Sequence, residues 1–328
     1  MDPELKILFG VIGGILLVAS IVGAVLAKVV KSDGGRATVA NLNARTRSWW
    51  IMAGIFCATI LMGHIFTTVL FGCLSFLALR EFITLNQTER ADHGVLFWSF
   101  FIITPIHYLL VGIQWYGLFS IFIPVYAFVL IPFRRVLTGE TKGFLASTSK
   151  IQWALMVCVY AVSHIPMLLT LPMHGFEGQN SKLLFFFVMT VQMSDVMQYV
   201  WGKTCGKHKV SPNVSPSKTW EGTIGGIATT VAISASLWWA TPFNPWQAAL
   251  MSLVICIAGF FGGLVLSAIK RDLGVKDWGS SIAGHGGFLD RMDSLCFAAP
   301  LFFHLTGFYF GTGIDPAAPG WILNLLCK

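Results

Sequence analysis

A chain of 328 residues in which 55% are hydrophobic and only 11% charged is too apolar for a water-soluble domain, where charged residues make up about a quarter. The net charge of +7 gathers between apolar runs, which fits orientation in a lipid bilayer and gives no reason to expect nucleic acid as a partner. Seven scattered Cys form no C-x-x-C pair, which argues against a thiolate zinc site.

In chain order, the first apolar run covers residues 7–27, close to the ~20 residues a bilayer requires. Asp2 and Glu4 precede it, where a cleaved signal would carry basic residues, so it reads as a retained span. Lys28, Lys31, Arg36, Arg45 and Arg47 follow and mark a cytoplasmic loop with the N-terminus outside. Residues 49–79 form a long apolar run whose flanking loops both carry basic residues. It is therefore expected to be a hairpin turning near Gly63-His64. Further spans are expected at 94–111, 115–132, 152–171, 183–201, 222–240, 247–269 and 294–312, while the run at 321–326 is too short to cross. The expected fold is all-α: a polytopic integral-membrane helical bundle of about ten transmembrane spans, with no soluble domain. Residues 1–180 supply N-terminal spans, and residues 181–328 carry the charged motifs at the cytoplasmic face. His64, His107, His164 and His304 sit in apolar runs and read as satisfied interior residues.

Three constellations stand out. The densest runs from Ser267 to Asp293 and holds four of the chain's fifteen acids, Asp272, Asp277, Asp290 and Asp293, beside Lys270, Arg271, Lys276 and Arg291. A loop that only fixes topology needs Lys and Arg but has no use for four acids, a Gly-His-Gly-Gly turn or an Asp-x-x-Asp pair. The second, residues 202–222, joins Lys203, Lys207, Lys209 and Lys218 with three Gly and two Ser-Pro pairs. Flexible backbone N–H groups and Lys point charges suit phosphate oxygens, although the Gly spacing is not that of a Walker loop. The third is Asp195, a carboxylate inside an expected span and so by default a functional candidate, with Gln198 on the same helical face.

These residues resemble the signature of the phosphatidate cytidylyltransferase (CDP-diacylglycerol synthase) family. The matching positions are Ser267, Lys270-Arg271, Lys276-Asp277, His285-Gly286-Gly287 and Asp290-Arg291-Met292-Asp293. The run Ser215-Pro216-Ser217-Lys218-Thr219-Trp220-Glu221-Gly222 is similar to the family's second segment, with Ser217 where a Lys is more usual. Asp195, Tyr199 and Gly202 match a third. Before residue 181 only the span end Arg80-Glu81-Phe82 is faintly similar. The chain departs from the pattern at Ala283, where Pro or Gly is usual, and at Gly263 and Leu266, where the common form has acids.

The resemblance implies an enzyme that joins CTP to a lipid phosphate in the bilayer, with Mg2+ as cofactor, room for a second cation, and a homodimeric assembly. It implies catalytic roles for Lys270, Arg271, Lys276, Asp277, His285 and Arg291. Substrate contacts are implied at Ser215, Lys218, Thr219, Glu221, Ser267, Gly286 and Gly287, and metal ligands at Asp195, Asp290 and Asp293. The attacking atom would be a phosphate oxygen, so no protein nucleophile is required; the chemistry needs in-line placement and cancellation of charge. Asp290 and Asp293, three apart on a helix, would share a cation. With Gly263 and Leu266 unable to bind one, Asp195, Asp277 or a substrate phosphate must compensate, and Asp195 is favoured. The implied home is a bacterial inner membrane, with the site at the cytoplasmic face. Two readings stay open beside phosphatidate: another lipid phosphate, such as a prenyl-ether lipid, and a transporter of anions or polar lipids.

Overall fold

The computed structural model describes residues 3–30, 32–282 and 286–312. Its helices in chain order are α1 (Pro3–Val29), α2 (Asp33–Met62), α3 (His64–Leu85), α4 (Arg90–Gly112), α5 (Tyr116–Val136), α6 (Phe144–Thr170), α7 (Asn180–Thr204), α8 (Trp220–Ser236), α9 (Pro245–Asp272) and α10 (Leu289–Phe310). A two-stranded antiparallel hairpin, β1 (Lys209–Ser211) with β2 (Ser215–Thr219), lies between α7 and α8. The protein is a helical membrane protein, as expected. Seven helices among the described residues are long and apolar enough to cross a bilayer: α1, α3, α4, α5, α6, α7 and α9. Helix α8 has only 17 residues. Helices α2 and α10 carry charged residues in their N-terminal parts.

One expectation is corrected near the N-terminus. The basic stretch at 28–47 is not all loop, because α2 begins at Asp33 and runs back along α1. The segment contains no Pro, and from Arg36 onward it carries three Ala and three Arg, both good helix formers. Asn43 donates to Gly23 O (3.4 Å) and Trp50 Nε1 to Ser20 Oγ (3.0 Å), which sets the two helices antiparallel. The chain breaks at Gly63, where φ is 95°, and resumes as α3 at His64, where the reversal was expected.

The C-terminal helices pack in sequence, α7 on α8, α8 on α9 and α9 on α10. Glycines set the spacing. A Cβ at Gly226 would lie 2.5 Å from Gln198 N, and one at Gly262 would lie 2.8 Å from Asp293 O. Bare Cα atoms at such crossings let helix backbones approach, as helices in lipid require. Aromatic side chains fill the interior, with Phe187 stacked on Phe302 at 5.3 Å. The histidines read as interior are hydrogen-bonded there: His64 with Val111 O (3.1 Å), His107 with Ser163 Oγ (2.8 Å), and His164 with both Tyr160 O (2.8 Å) and His304 (3.3 Å).

Polar groups collect at the two ends of the bundle. At one end Lys182 pairs with Glu4. At the other lie the C-terminal turns of α3, α7 and α9, the β-hairpin and the N-termini of α8 and α10. The charged motifs meet at this second end.

Candidate active site

Helix α9 delivers the first basic residues. Asn244 caps it: its side chain accepts from Gln247 N (2.9 Å), Gln247 Oε1 accepts from Asn244 N (2.9 Å), and Pro245 opens the first turn. From that fixed start, 28 residues carry Lys270 and Arg271 into the last turn, where cations complement the helix dipole. Gly263, Ser267 and Lys270 recur at helical spacing on one face.

Asp290 lies at the second position of α10. Its Oδ1 accepts from Lys270 Nζ (2.7 Å), and its Oδ2 accepts from Trp278 N (2.8 Å) and Gly287 N (2.9 Å). Both side chains of the Lys270–Asp290 pair are buried. The pair therefore ties the start of α10 to the last turn of α9. Positive φ at Gly274 (71°) and Gly286 (80°) serves the two reversals, a conformation only Gly adopts cheaply.

One turn further on, Asp293 meets Asp195 from α7. Ser294 joins them: its backbone N donates to Asp293 Oδ1 (2.8 Å) and its Oγ to Asp195 Oδ1 (3.2 Å). Ser294 carried no signal in the sequence, where it stood as the first residue of an apolar run. Lys218, Lys270 and Arg291 all bear electrostatically on Asp293.

Lys218 comes from the last residues of β2. The hairpin is tied to α8 by Thr219, whose Oγ1 accepts from Gly222 N (3.2 Å) as the N-cap. Glu221 accepts from the backbone N of Lys207 (3.0 Å) and of His208, and from the His208 ring (2.5 Å). These hydrogen bonds hold its carboxyl well below the usual range, at about 2. Arg271 braces the same hairpin from α9 by donating to Val214 O (3.3 Å). So fixed, the Lys218 ammonium lies 4.8 Å from the centre of the Phe260 ring. A Cβ at Gly263 would fall 2.9 Å from Lys218 Nζ and 3.9 Å from Asp293 Oδ2. The bare α9 backbone thus separates a cation from a carboxylate pair. Among the described residues Lys218 Nζ lies within 4 Å of no carboxylate. Burial pushes its pKa down, and Asp195 and Asp293 partly restore it. Arg291 likewise has a buried Nε with no hydrogen-bond acceptor among the described residues.

The structure therefore brings Asp195, Lys218, Lys270, Asp290, Arg291 and Asp293 to one place, with Ser267 one turn before Lys270 on α9. Thr219, Glu221 and Arg271 stand in the scaffold of the hairpin, and Ser215 pairs with Ser211 in it. Gly286 and Gly287 form the turn onto Asp290, while Lys276 and Asp277 are exposed on the segment before it. His285 lies outside the described residues. Sequence reasoning missed Ser294, and it gave little weight to Glu81, whose carboxylate accepts from Ser281 Oγ and from the backbone N of Phe288 and Leu289. The only signal for Glu81 was its place in the Arg80-Glu81-Phe82 span end.

Chemically, two carboxylates joined through the hydroxyl and the backbone N–H of Ser294, faced by the Lys218 ammonium and the Arg291 guanidinium, suit a cation and the phosphate oxygens it would neutralise. Among the described residues no third acid is free beside them, since Asp290 is committed to Lys270 and two backbone N–H groups. That donor set fits Mg2+, which keeps several waters and binds through one or two carboxylates plus substrate phosphates.

Comparison with known proteins places this geometry in a group. Residues 43–309 match the cytidylyltransferase family. Over 93% of this chain and 97% of its own length, a protein of Escherichia coli (strain K12) named uncharacterized protein YnbB is 40% identical. A phosphatidate cytidylyltransferase of Staphylococcus aureus (strain COL) is 27% identical over 79% of this chain and 97% of its own. One from Staphylococcus haemolyticus (strain JCSC1435) is 40% identical over 38% of this chain and 48% of its own.

Proposed function

We propose that this chain, which belongs to the cytidylyltransferase family, condenses CTP with phosphatidate to give CDP-diacylglycerol and pyrophosphate for phospholipid synthesis. The observation that carries the reading is the convergence of Asp195 and Asp293 on Ser294, with Lys218 and Arg291 beside them. In this reaction an oxygen of the lipid phosphate attacks the α-phosphorus of CTP. The bond from that phosphorus to the bridging β-oxygen breaks, and its electron pair leaves with pyrophosphate. Two polyanions must be brought together, so the protein has to supply placement and positive charge.

Lys218 serves the phosphates as a point charge and Arg291 as a planar donor. Asp195 and Asp293 would hold Mg2+, which when bound neutralises charge on the phosphate oxygens. Lys270 stays with Asp290 and ties the start of α10 to the end of α9. The diacyl chains remain in the bilayer, so the lipid enters sideways between helices at headgroup depth. The charged end of the bundle faces the cytoplasm, where CTP is made, in a bacterial inner membrane.

The test is to incubate purified full-length protein with radiolabelled CTP, Mg2+ and phosphatidate in mixed micelles. Label in the organic phase, chromatographing as CDP-diacylglycerol, is the expected result. Label only when another lipid phosphate is supplied would reassign the substrate, and no label with any lipid phosphate would overturn the reading.

A further inference from the structure

Asp290 and Asp293 stand on the first two turns of α10, so whatever fixes the start of that helix fixes them. The first backbone N–H groups of a helix have no partner within it and carry partial positive charge. Here an acid far away in the sequence meets them. Glu81 lies one turn before the end of α3, in the part of the chain that holds none of the charged motifs. Its Oε1 accepts from Phe288 N (3.0 Å) and Ser281 Oγ (2.9 Å), and its Oε2 accepts from Leu289 N (3.0 Å). The surrounding backbone is cut to fit this carboxylate. A Cβ at Gly279 would lie 2.8 Å from Glu81 Oε1, and one at Gly287 would lie 2.4 Å from Oε2.

The next residue grips the same segment independently. Phe82 stacks on Trp278 with ring centres 5.1 Å apart and planes 19° apart, and Trp278 is fully buried. Trp278 in turn donates its backbone N to Asp290 Oδ2 (2.8 Å). Two consecutive side chains of α3 thus hold Trp278 and the start of α10, one by stacking and one by charge.

We propose that Glu81 is a positioning residue for the cytidylyl transfer: through Phe288 and Leu289 it fixes the start of α10 and hence the aim of Asp293 at Asp195. The carboxylate is specifically required. Three donors converge on two oxygens, whereas Gln offers one acceptor oxygen and an amide that donates, so at least one donor is stranded. Asp is a methylene short of the reach. The kinetic part of this proposal rests on the functional reading above; the contact itself does not.

The experiment has two independent readouts on full-length wild type, Glu81→Gln and Gly287→Ala. The first is amide hydrogen exchange without substrate. Glu81→Gln should raise exchange at residues 288 and 289 by about tenfold or more, with the core of α6 and α7 unchanged. The second is steady-state kinetics per folded protein. Because a misplacement of about 1 Å can cost about a hundredfold in rate, kcat should fall about 10- to 100-fold in each variant while KM for CTP stays within about threefold. Gly287→Ala displaces the Glu81 carboxylate, so the double variant should be no worse than the poorer single. Unchanged exchange at 288–289 would overturn the contact. Raised exchange with wild-type kcat, or losses that multiply in the double variant, would overturn the positioning role. Absence of turnover in the wild type would count against the functional reading, and the exchange result would still decide the contact.

Discussion

Replacing Gly263 by Ala should make the protein slightly more stable and distinctly less active. Gly263 is buried in the interior of α9, where exchanging Gly for Ala is worth about 0.5–1 kcal/mol of helix stability. The added Cβ lies 3.8 Å from Ser294 Oγ and 3.9 Å from Asp293 Oδ2, ordinary contacts that cost nothing. Its one tight neighbour is Lys218 Nζ at 2.9 Å, the free end of a flexible side chain, which yields cheaply. What it yields is the seat of the ammonium beside Phe260 and opposite the carboxylate pair. A hydrogen bond to a charged group is worth about 1.5–3 kcal/mol, so complete loss of the Lys218–phosphate contact would lower kcat/KM by about 10- to 150-fold. Displacement by a methyl group should fall near the lower end, about tenfold. The assay is kcat/KM for CTP in mixed micelles together with thermal unfolding in the same detergent. Lys218→Met is the control: it should show the full loss, and adding Gly263→Ala to it should change nothing further, since no ammonium remains to be moved. A folded Gly263→Ala protein with wild-type kcat/KM, or losses that multiply in the double variant, would refute the reasoning.

On the proposed reading, in which Asp195 and Asp293 hold Mg2+, Asp195→Asn and Asp293→Asn should each lower turnover by about a hundredfold or more at unchanged stability. Asp290→Asn should instead unfold more readily, since breaking a buried ion pair costs about 3–5 kcal/mol; thermal unfolding beside kcat separates the two behaviours. The alkaline limb of the activity profile should begin below the pH expected of an ordinary Lys. Burial lowers the Lys218 pKa, so the ammonium that meets phosphate is lost as pH rises through that lowered value, and Lys218→Arg should carry activity to higher pH. In a protein without its native Cys, Ser217→Cys should react with an impermeant thiol reagent only from the cytoplasmic side and His174→Cys, on the exposed loop at the opposite end, only from outside, and labelling of position 217 in intact cells would reverse the orientation.

Apolar runs of bilayer length announced the helices because in lipid the backbone must satisfy its own hydrogen bonds, which leaves little else for such a run to become. The pattern at 28–47 was misread for the complementary reason. Positive-inside counting asks which side a charge is on, not whether the residues carrying it are helical, and α2 is a charged helix lying along α1. The candidate site was legible where its chemistry needs charge: Asp195, Lys218, Lys270, Asp290, Arg291 and Asp293 all drew notice. It was illegible where the work is done by a neutral group or across the chain. Ser294 joins two carboxylates with one hydroxyl and one N–H, and nothing in a lone Ser at the start of an apolar run signals that. Glu81 meets residues about two hundred positions away, a pairing that only the packing of α3 against α10 creates.

The Asp-x-x-Asp pair shows why spacing alone does not assign roles. Two acids three apart on a helix share a face, and the sequence reading gave them one shared cation. Asp290 is early enough in α10 to meet Lys270 and the N–H groups of Trp278 and Gly287, which partner both of its carboxylate oxygens. Asp293, one turn deeper, has passed those donors and reaches Asp195 instead. Counted as formal charges, the open part of the site then holds two carboxylates against Lys218 and Arg291 and is close to neutral. On the proposed reaction, a nucleoside triphosphate and a lipid phosphate together would bring several negative charges to it. The balance would then come from a cation arriving with the substrates, for which the Asp195–Asp293 pair is the proposed seat. On the same count, pairing Asp290 with Lys270 keeps a third negative charge from the point where the two anions would meet.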